Sequence, residues 1–273
     1  MSTNKLSNPL RQVLFVLMLL AQVSVAYAEE SPSITIIIDD MGNHQAQGLA
    51  ALELLGDVTY AFLPHTPYAV TLAEKAHNLG KEVMLHMPMD ARDGNALGPG
   101  ALTLHMTETQ FKQALWKNLS AVPHVIGLNN HMGSLLTRHP GAMGWMMQAL
   151  RQRPGLYFID SRTTRETVAQ NLALEYGIPN TRRDVFLDNE RTTGAIEGQF
   201  SLLLERARKQ GYAVGIGHPY PQTIQILRRL LSHLKSNNIR LISASSMIEL
   251  QQRRKTWPEP SSLSLKVAKS SKP

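Results

Sequence analysis

The arrangement of apolar runs predicts an α/β fold on a parallel sheet, closed in the manner of a (β/α) barrel rather than opened as a doubly wound sheet. Three observations lead there. Eight short, largely apolar runs rich in β-branched and aromatic residues recur along the chain, as strands buried on both faces do. Amphipathic stretches separate them, so that strand and helix alternate. Polar residues capable of chemistry fall at the carboxyl ends of most runs, the rim where parallel barrels place their sites. The 273 residues can bury the core of one large domain or of two small ones.

The first element is an address. Lys5 and Arg11 precede the apolar stretch Val13–Ala21, and Ala26-Tyr27-Ala28 follows, which reads as a secretory signal peptide cut after Ala28 and a periplasmic destination. The stretch is shorter than the roughly 20 residues of a membrane span. The body, residues 29–252, holds the eight runs: Ile34–Ile38, Val58–Leu63, Glu82–Leu85, Val125–Leu128, Leu156–Ile159, Val185–Leu187, Tyr212–Ile216 and Ile239–Ile242. Gly80, Gly155 and Gly211 each stand between a helical stretch and a run, where left-handed backbone closes a helix. Thr107 with Gln110 marks a capping box at a helix start. Residues 253–273 form a basic, flexible tail. Its six Lys or Arg against one Glu carry most of the formal charge of +7, and suit peripheral contact with anionic envelope surfaces.

Several function classes drop out. With no cysteine there is no disulfide, thiol nucleophile, thiolate zinc site or iron–sulfur cluster. No basic–aromatic stripe supports a nucleic-acid partner. The loop Gly94–Gly100 lacks the Lys-containing spacing of a phosphate cradle. Arg182-Arg183-Asp184 reads as a solvated turn, with contact to an anionic sugar polymer as the alternative.

The strand ends carry Asp39-Asp40, His86, Asn129-Asn130-His131, Asp160-Ser161-Arg162, Asp188 and His218. One Asp with two His from the first, third and fourth runs makes a three-donor site with open positions for water on zinc or a similar divalent ion. Of the adjacent Asp39 and Asp40, one can ligate while the other takes a proton from water; either also suits the N-cap of the helix that follows. His218 suits a general acid, with Asp160 holding its ring. His65, at the end of the second run, is placed to line a substrate groove. His124 precedes its strand and belongs to the opposite rim.

Ile36–Gly42, Leu85–Met89, Leu128–Ser134, Phe158–Arg162 and Gly215–Pro219 together resemble the divergent polysaccharide deacetylases, in particular the YibQ-type members of Gram-negative bacteria. The resemblance spans roughly Ser33 to Leu250. It implies the irregular, incomplete (β/α) barrel of the NodB/polysaccharide deacetylase type, and metal-assisted removal of an acetyl group from a cell-wall or envelope glycan. By that resemblance Asp39 is the catalytic base, Asp40 and His86 are metal ligands, and His218 is the acid. The family's second histidine is replaced by Asp90, and His131 stands ready to supply the third ligand. The divalent metal is expected to be zinc. Asn130, Arg162 and His65 are the residues expected to touch an acetylated polysaccharide or peptidoglycan-type glycan. A deacetylase-like scaffold that binds glycan or an envelope protein without turnover is the alternative class. Asp90 favours it, and the Asp39-Asp40 pair opposes it.

Overall fold

The computed structural model describes residues 31–92 and 94–256. The expected signal peptide and residues 257–273 of the basic tail lie outside the described residues. Among the described residues nine strands form one sheet: β1 (Ser33–Met41), β2 (Thr59–Phe62), β3 (Glu82–Met89), β4 (Gly127–Met132), β5 (Tyr157–Asp160), β6 (Asn180–Arg182), β7 (Val185–Phe186), β8 (Tyr212–Gly217) and β9 (Arg240–Leu241). Their order is β6-β5-β4-β3-β2-β1-β8-β7, and every pairing is parallel. The short β9 pairs only with Ser33 and Ile34, at the amino end of β1. The helices are α1 (Gln45–Leu52), α2 (Ala69–Asn78), α3 (Glu108–Ala121), α4 (Pro140–Arg151), α5 (Ala169–Glu175), α6 (Thr193–Gln210), α7 (Pro221–Leu231) and α8 (Ala244–Thr256).

The two ends of this strand order nearly meet. β6 and β7 are joined only by Arg183 and Asp184, which limits the Cα distance across the join to about 11 Å. The Arg183 N–H donates to the Asp160 carbonyl at the end of β5, and the Asp184 N–H to the Val214 carbonyl of β8, each at 2.9 Å. The sheet therefore curls round on itself and leaves one seam without a ladder, which is the irregular, incomplete barrel expected. Side chains alternate across it. Ile34, Ile36, Ile38, Phe62, Leu85, Leu128 and Phe158 face outward and pack under the helices. Ile37, Ala61, Met84, Tyr157, Ile159, Val214 and Ile216 face inward and meet Ala244, Met247 and Ile248 of α8. The start of α8 is tied to the amino ends of β2 and β3: the Ala244 N–H donates to Thr59 Oγ1 and the Ser245 N–H to Glu82 Oε1. That helix thus plugs one mouth of the barrel and leaves the other for polar residues.

Local signals in the sequence are realised. Thr107 Oγ1 accepts the Gln110 N–H, and Gln110 Oε1 accepts the Thr107 N–H, closing the capping box of α3. Gly211 ends α6 at φ 85°, in the left-handed region. Two expectations shift. The strand β6 was not foreseen, because Asn-Thr-Arg has no apolar run to announce it. The helix α8 continues past the expected boundary at Gln252, so Arg253 and Arg254 belong to it, and Arg254 Nη1 reaches the Gln210 carbonyl at 3.4 Å.

Candidate metal and acid–base site

Alternation along the strands carries a set of polar side chains to the open mouth. Asp39 lies two residues beyond inward-facing Ile37, His86 two beyond Met84, and His218 two beyond Ile216. Asn129 and His131 follow Gly127 by the same spacing. Asp40 ought to point outward, yet it joins them. The register of β1 against β2 slips between Ile38 and Met41, and Asp40 sits at φ 54°, so the chain turns its carboxylate back to the inner side. Neither carboxylate caps a helix, since α1 begins after His44.

Three donor atoms converge. His131 Nδ1 is 2.9 Å and His86 Nε2 3.2 Å from Asp40 Oδ1, and the two ring nitrogens are 3.1 Å apart. Among the described residues this is the one group of three such side chains close enough to share an ion. The spacings approach those of donors placed about 2.0–2.1 Å from a common centre, whose separations run from about 3.0 to 3.4 Å. Asp40 Oδ1 is buried and receives no properly directed hydrogen bond despite both imidazoles beside it. The residues therefore fit a divalent cation with nitrogen and oxygen ligands.

The surrounding hydrogen bonds fix the state of this group. Asn129 Nδ2 donates to Asp39 Oδ1 at 2.8 Å, so its Oδ1 is the atom 2.7 Å from His86 Nδ1. His86 must donate from Nδ1, which leaves Nε2 with a lone pair aimed at Asp40 when the ring is neutral. Burial pushes the Asp39 carboxyl up from its ordinary range, only partly offset by His86, His218 and Asn129. Burial acts likewise on Asp40, but the close approach of His131 and His86 and the charges of His86 and His218 outweigh it and hold the carboxyl well below that range. For His86, burial is overcome by Asp39 and Asp40, which raise it to about 9.

His218 stands across the mouth, with Nε2 3.8 Å from Asp40 Oδ2. Asp188, not Asp160, holds it. Asp188 Oδ1 is 2.9 Å from His218 Nδ1, while Oδ2 accepts the His218 N–H and the Thr223 hydroxyl, both at 2.7 Å. Asp160 has the parity of Phe158 and faces away from the barrel axis, where it accepts the Arg162 N–H and the Thr167 hydroxyl. Asp188 shares the inward parity of Phe186, whose ring lies 5.4 Å from that of His218. Tyr220 stacks on His218 at 5.3 Å, with Arg191 over the tyrosine in turn. Although burial disfavours its charged form, the Asp188 partnership and the Asp40 and Asp39 charges raise the His218 pKa.

The remaining expected residues scatter. Asn130 is buried at 1% and braces the strand ends, accepting the Ser161 N–H and donating to the Met132 carbonyl. It has the outward parity, and Asn129 is the asparagine that faces the site. His65 bonds Asn118 and lines an open cavity of about 480 Å³ with Gly100, Met106 and Lys117, whose walls include none of the residues around Asp40. Arg162 lies half-buried at the end of β5. Asp90 occupies the position of the missing histidine, and its carboxylate accepts the Leu104 N–H at 3.3 Å. His124 lies away from the cluster, bonded to Glu74 and stacked on His77. The functional groups passed over were Asn129 and the Asp188 partnership, and the alternation of strand residues was the signal that marks both.

The chain also matches known proteins. A family model described as divergent polysaccharide deacetylase matches residues 36–248. The chain is 35% identical over 219 residues to the protein YibQ of Escherichia coli K12, covering 80% of this chain and 68% of that one. A Haemophilus influenzae protein is 34% identical over 214 residues, covering 78% and 76%. An uncharacterized protein from Agrobacterium tumefaciens C58, solved by crystallography, superposes with a TM-score of 0.76 at 21% identity, over 80% of this chain and 89% of that one. With the family model running through the strands that carry Asp39, His86, His131 and His218, the chain belongs to the divergent polysaccharide deacetylases.

Proposed function

We propose that this protein is a metal-dependent hydrolase that removes acetyl groups from an envelope polysaccharide or peptidoglycan-type glycan, with zinc as its ion. The observation that carries the reading is the triangle of Asp40 Oδ1, His86 Nε2 and His131 Nδ1 with a second carboxylate, Asp39 Oδ2, 3.7 Å from His86 Nε2. A structural zinc site closes with four protein ligands, whereas three leave a position for water. The extra buried acid and the opposed histidine are what hydrolysis adds.

Asp40, His86 and His131 would hold the ion, which supplies a Lewis acid that polarises an acyl carbonyl and renders water nucleophilic near neutral pH. Asp39 takes the proton from the attacking water. Its raised pKa makes it a stronger base than an exposed carboxylate, and the bond from Asn129 to Oδ1 leaves Oδ2 for that proton. His218 gives a proton from Nε2 to the departing nitrogen, because Asp188 accepts at Nδ1 and stabilises the charged ring. Phe186 and Tyr220 both pack against the imidazole, the tyrosine stacked on it. Asp90, tied to Leu104, takes no part in the triangle, and His131 stands in for the absent histidine.

The test is Asp39→Asn assayed on acetylated glycans alongside elemental analysis. Turnover should fall by about 10³-fold or more, as loss of a general base commonly costs 10²–10⁴, while the ion content stays at the wild-type level. Wild-type protein with its ion bound and no hydrolysis of any acetylated glycan would overturn the reading. The periplasmic placement rests on the leader read in residues 1–28, and sequencing of the mature amino terminus should begin at Glu29.

A further inference from the structure

The plugged end of the barrel carries apolar side chains that α8 does not cover. The loops entering β2, β3 and β4, three neighbouring strands, hold Leu55, Leu79 and Ile126, which are 61%, 53% and 43% exposed. Scattered exposed leucines are ordinary on a protein surface, and it is their grouping that carries meaning. Lys81 Nζ donates to the Leu54 and Gly56 carbonyls on either side of Leu55, at 3.0 and 2.6 Å, and so ties the first loop to the second two residues from Leu79. His77, on the other side of Leu79, stacks on His124 with ring centroids 3.7 Å apart and planes within 1°. His124 is two residues from Ile126, whose N–H donates to the Val83 carbonyl of β3 at 3.2 Å. The three apolar side chains therefore stand on one run of linked loops.

Their surround is basic. Exposed Arg151 and Arg153 flank the next loop, whose Tyr157 N–H donates to the Ile126 carbonyl at 3.3 Å. Lys75 in the last turn of α2, Lys209 at the end of α6 and Lys235 before β9 are exposed at the same end of the barrel. Of the carboxylates there, Glu53 pairs with Arg228, Glu74 with His124, and Glu82 is taken up by Tyr157 and Ser245. Asp57 and Glu175 stand exposed. Basic residues at helix ends are ordinary complements of the helix dipole and alone would mark nothing. Joined to a run of exposed leucine and isoleucine, they make the combination that enters an anionic interface, apolar points within a field of cations. The same charge opposes a second copy on this face, because two such rims would repel each other.

We propose that the plugged end of the barrel docks on an anionic phospholipid membrane, with Leu55, Leu79 and Ile126 entering the headgroup layer and the basic side chains resting on it. Docking in this sense turns the open mouth away from the bilayer. The contact is peripheral: among the described residues no helix is long and apolar enough to cross a membrane. The inference stands apart from the hydrolase reading, since it uses none of the residues around Asp40.

The test is cosedimentation of the processed chain, from Glu29 onward, with vesicles of phosphatidylcholine alone and of phosphatidylcholine mixed equally with phosphatidylglycerol. Wild type should bind the anionic vesicles at least about tenfold more tightly, with the gap shrinking as salt rises. The triple variant Leu55→Ser, Leu79→Ser and Ile126→Ser, with residues 257–273 intact, should lose about tenfold in that binding. Its thermal midpoint should hold, because all three side chains are already exposed. Arg151→Gln with Arg153→Gln tests the charge separately, at about fivefold for each residue near the surface. Equal binding of wild type to both vesicles would overturn the proposal. So would a folded triple variant that binds as wild type does, since the basic tail would then suffice without the rim. A wild-type dimer that the triple variant dissociates, with no vesicle binding, would assign the face to a second copy and overturn it too.

Discussion

Asn129 is the residue on which the chemistry of the mouth turns, although it neither ligates nor transfers a proton. One amide bonds Asp39 through Nδ2 and His86 through Oδ1, so it orients the proposed base and fixes the imidazole tautomer together. Groups that orient metal ligands commonly contribute 10–100-fold in affinity. Asn129→Ala should weaken metal binding by about that factor in chelator competition, and unchanged affinity would show that the amide does not set the ring. His86 gives a second test. In protein stripped of metal its pKa is raised from 6.5 to about 9 by Asp39 and Asp40 against burial. The charged ring therefore contributes stability that is present in full below about pH 6.5 and is lost as pH rises through about 9. The stripped protein should lose thermal stability between those limits, and His86→Gln should flatten that slope. A stripped wild type whose stability is flat over this window would contradict it.

At the scale of elements, the long apolar strands were legible because burial on both faces leaves an unmistakable run, as in Ile34–Ile38 and Tyr212–Ile216. The site was legible where it extends those runs by even steps. Ile37 to Asp39, Met84 to His86 and Ile216 to His218 all keep the inward side. The same rule, applied strictly, separates Asp160 from Asp188 and Asn130 from Asn129. Asp160 and Asn130 fall one residue out of step, and a one-residue offset moves a side chain to the opposite face. The sequence had no means of announcing β6, whose pairing with β5 depends on the sheet's curl rather than on its own residues. Nor does alternation foresee Asp40. Its inward turn depends on a left-handed φ and a slipped register that no propensity marks at an aspartate in this position. The resemblance to a known family supplied that assignment where periodicity could not.

For the whole molecule, closure of the barrel makes the site. Asp40, His86 and His131 come from β1, β3 and β4, and His218 from β8 on the other flank of β1. In a flat sheet β4 and β8 would be separated by the full width of β1–β3, whereas the curl brings Asp40 within reach of both flanks. The plug of α8 fills the opposite mouth with Met247 and Ile248, so polar groups gather at one end only. This division of the interior, apolar below and titratable above, is what the proposed ion and acid–base pair would need in order to act on a polymer across the rim. The most direct measurement is metal stoichiometry by elemental analysis of purified wild type, His86→Ala and His131→Ala. One divalent ion per wild-type chain, lost from both folded variants, is the expected result. A wild type that takes up no ion under any loading condition, or variants that keep theirs, would contradict the shared site.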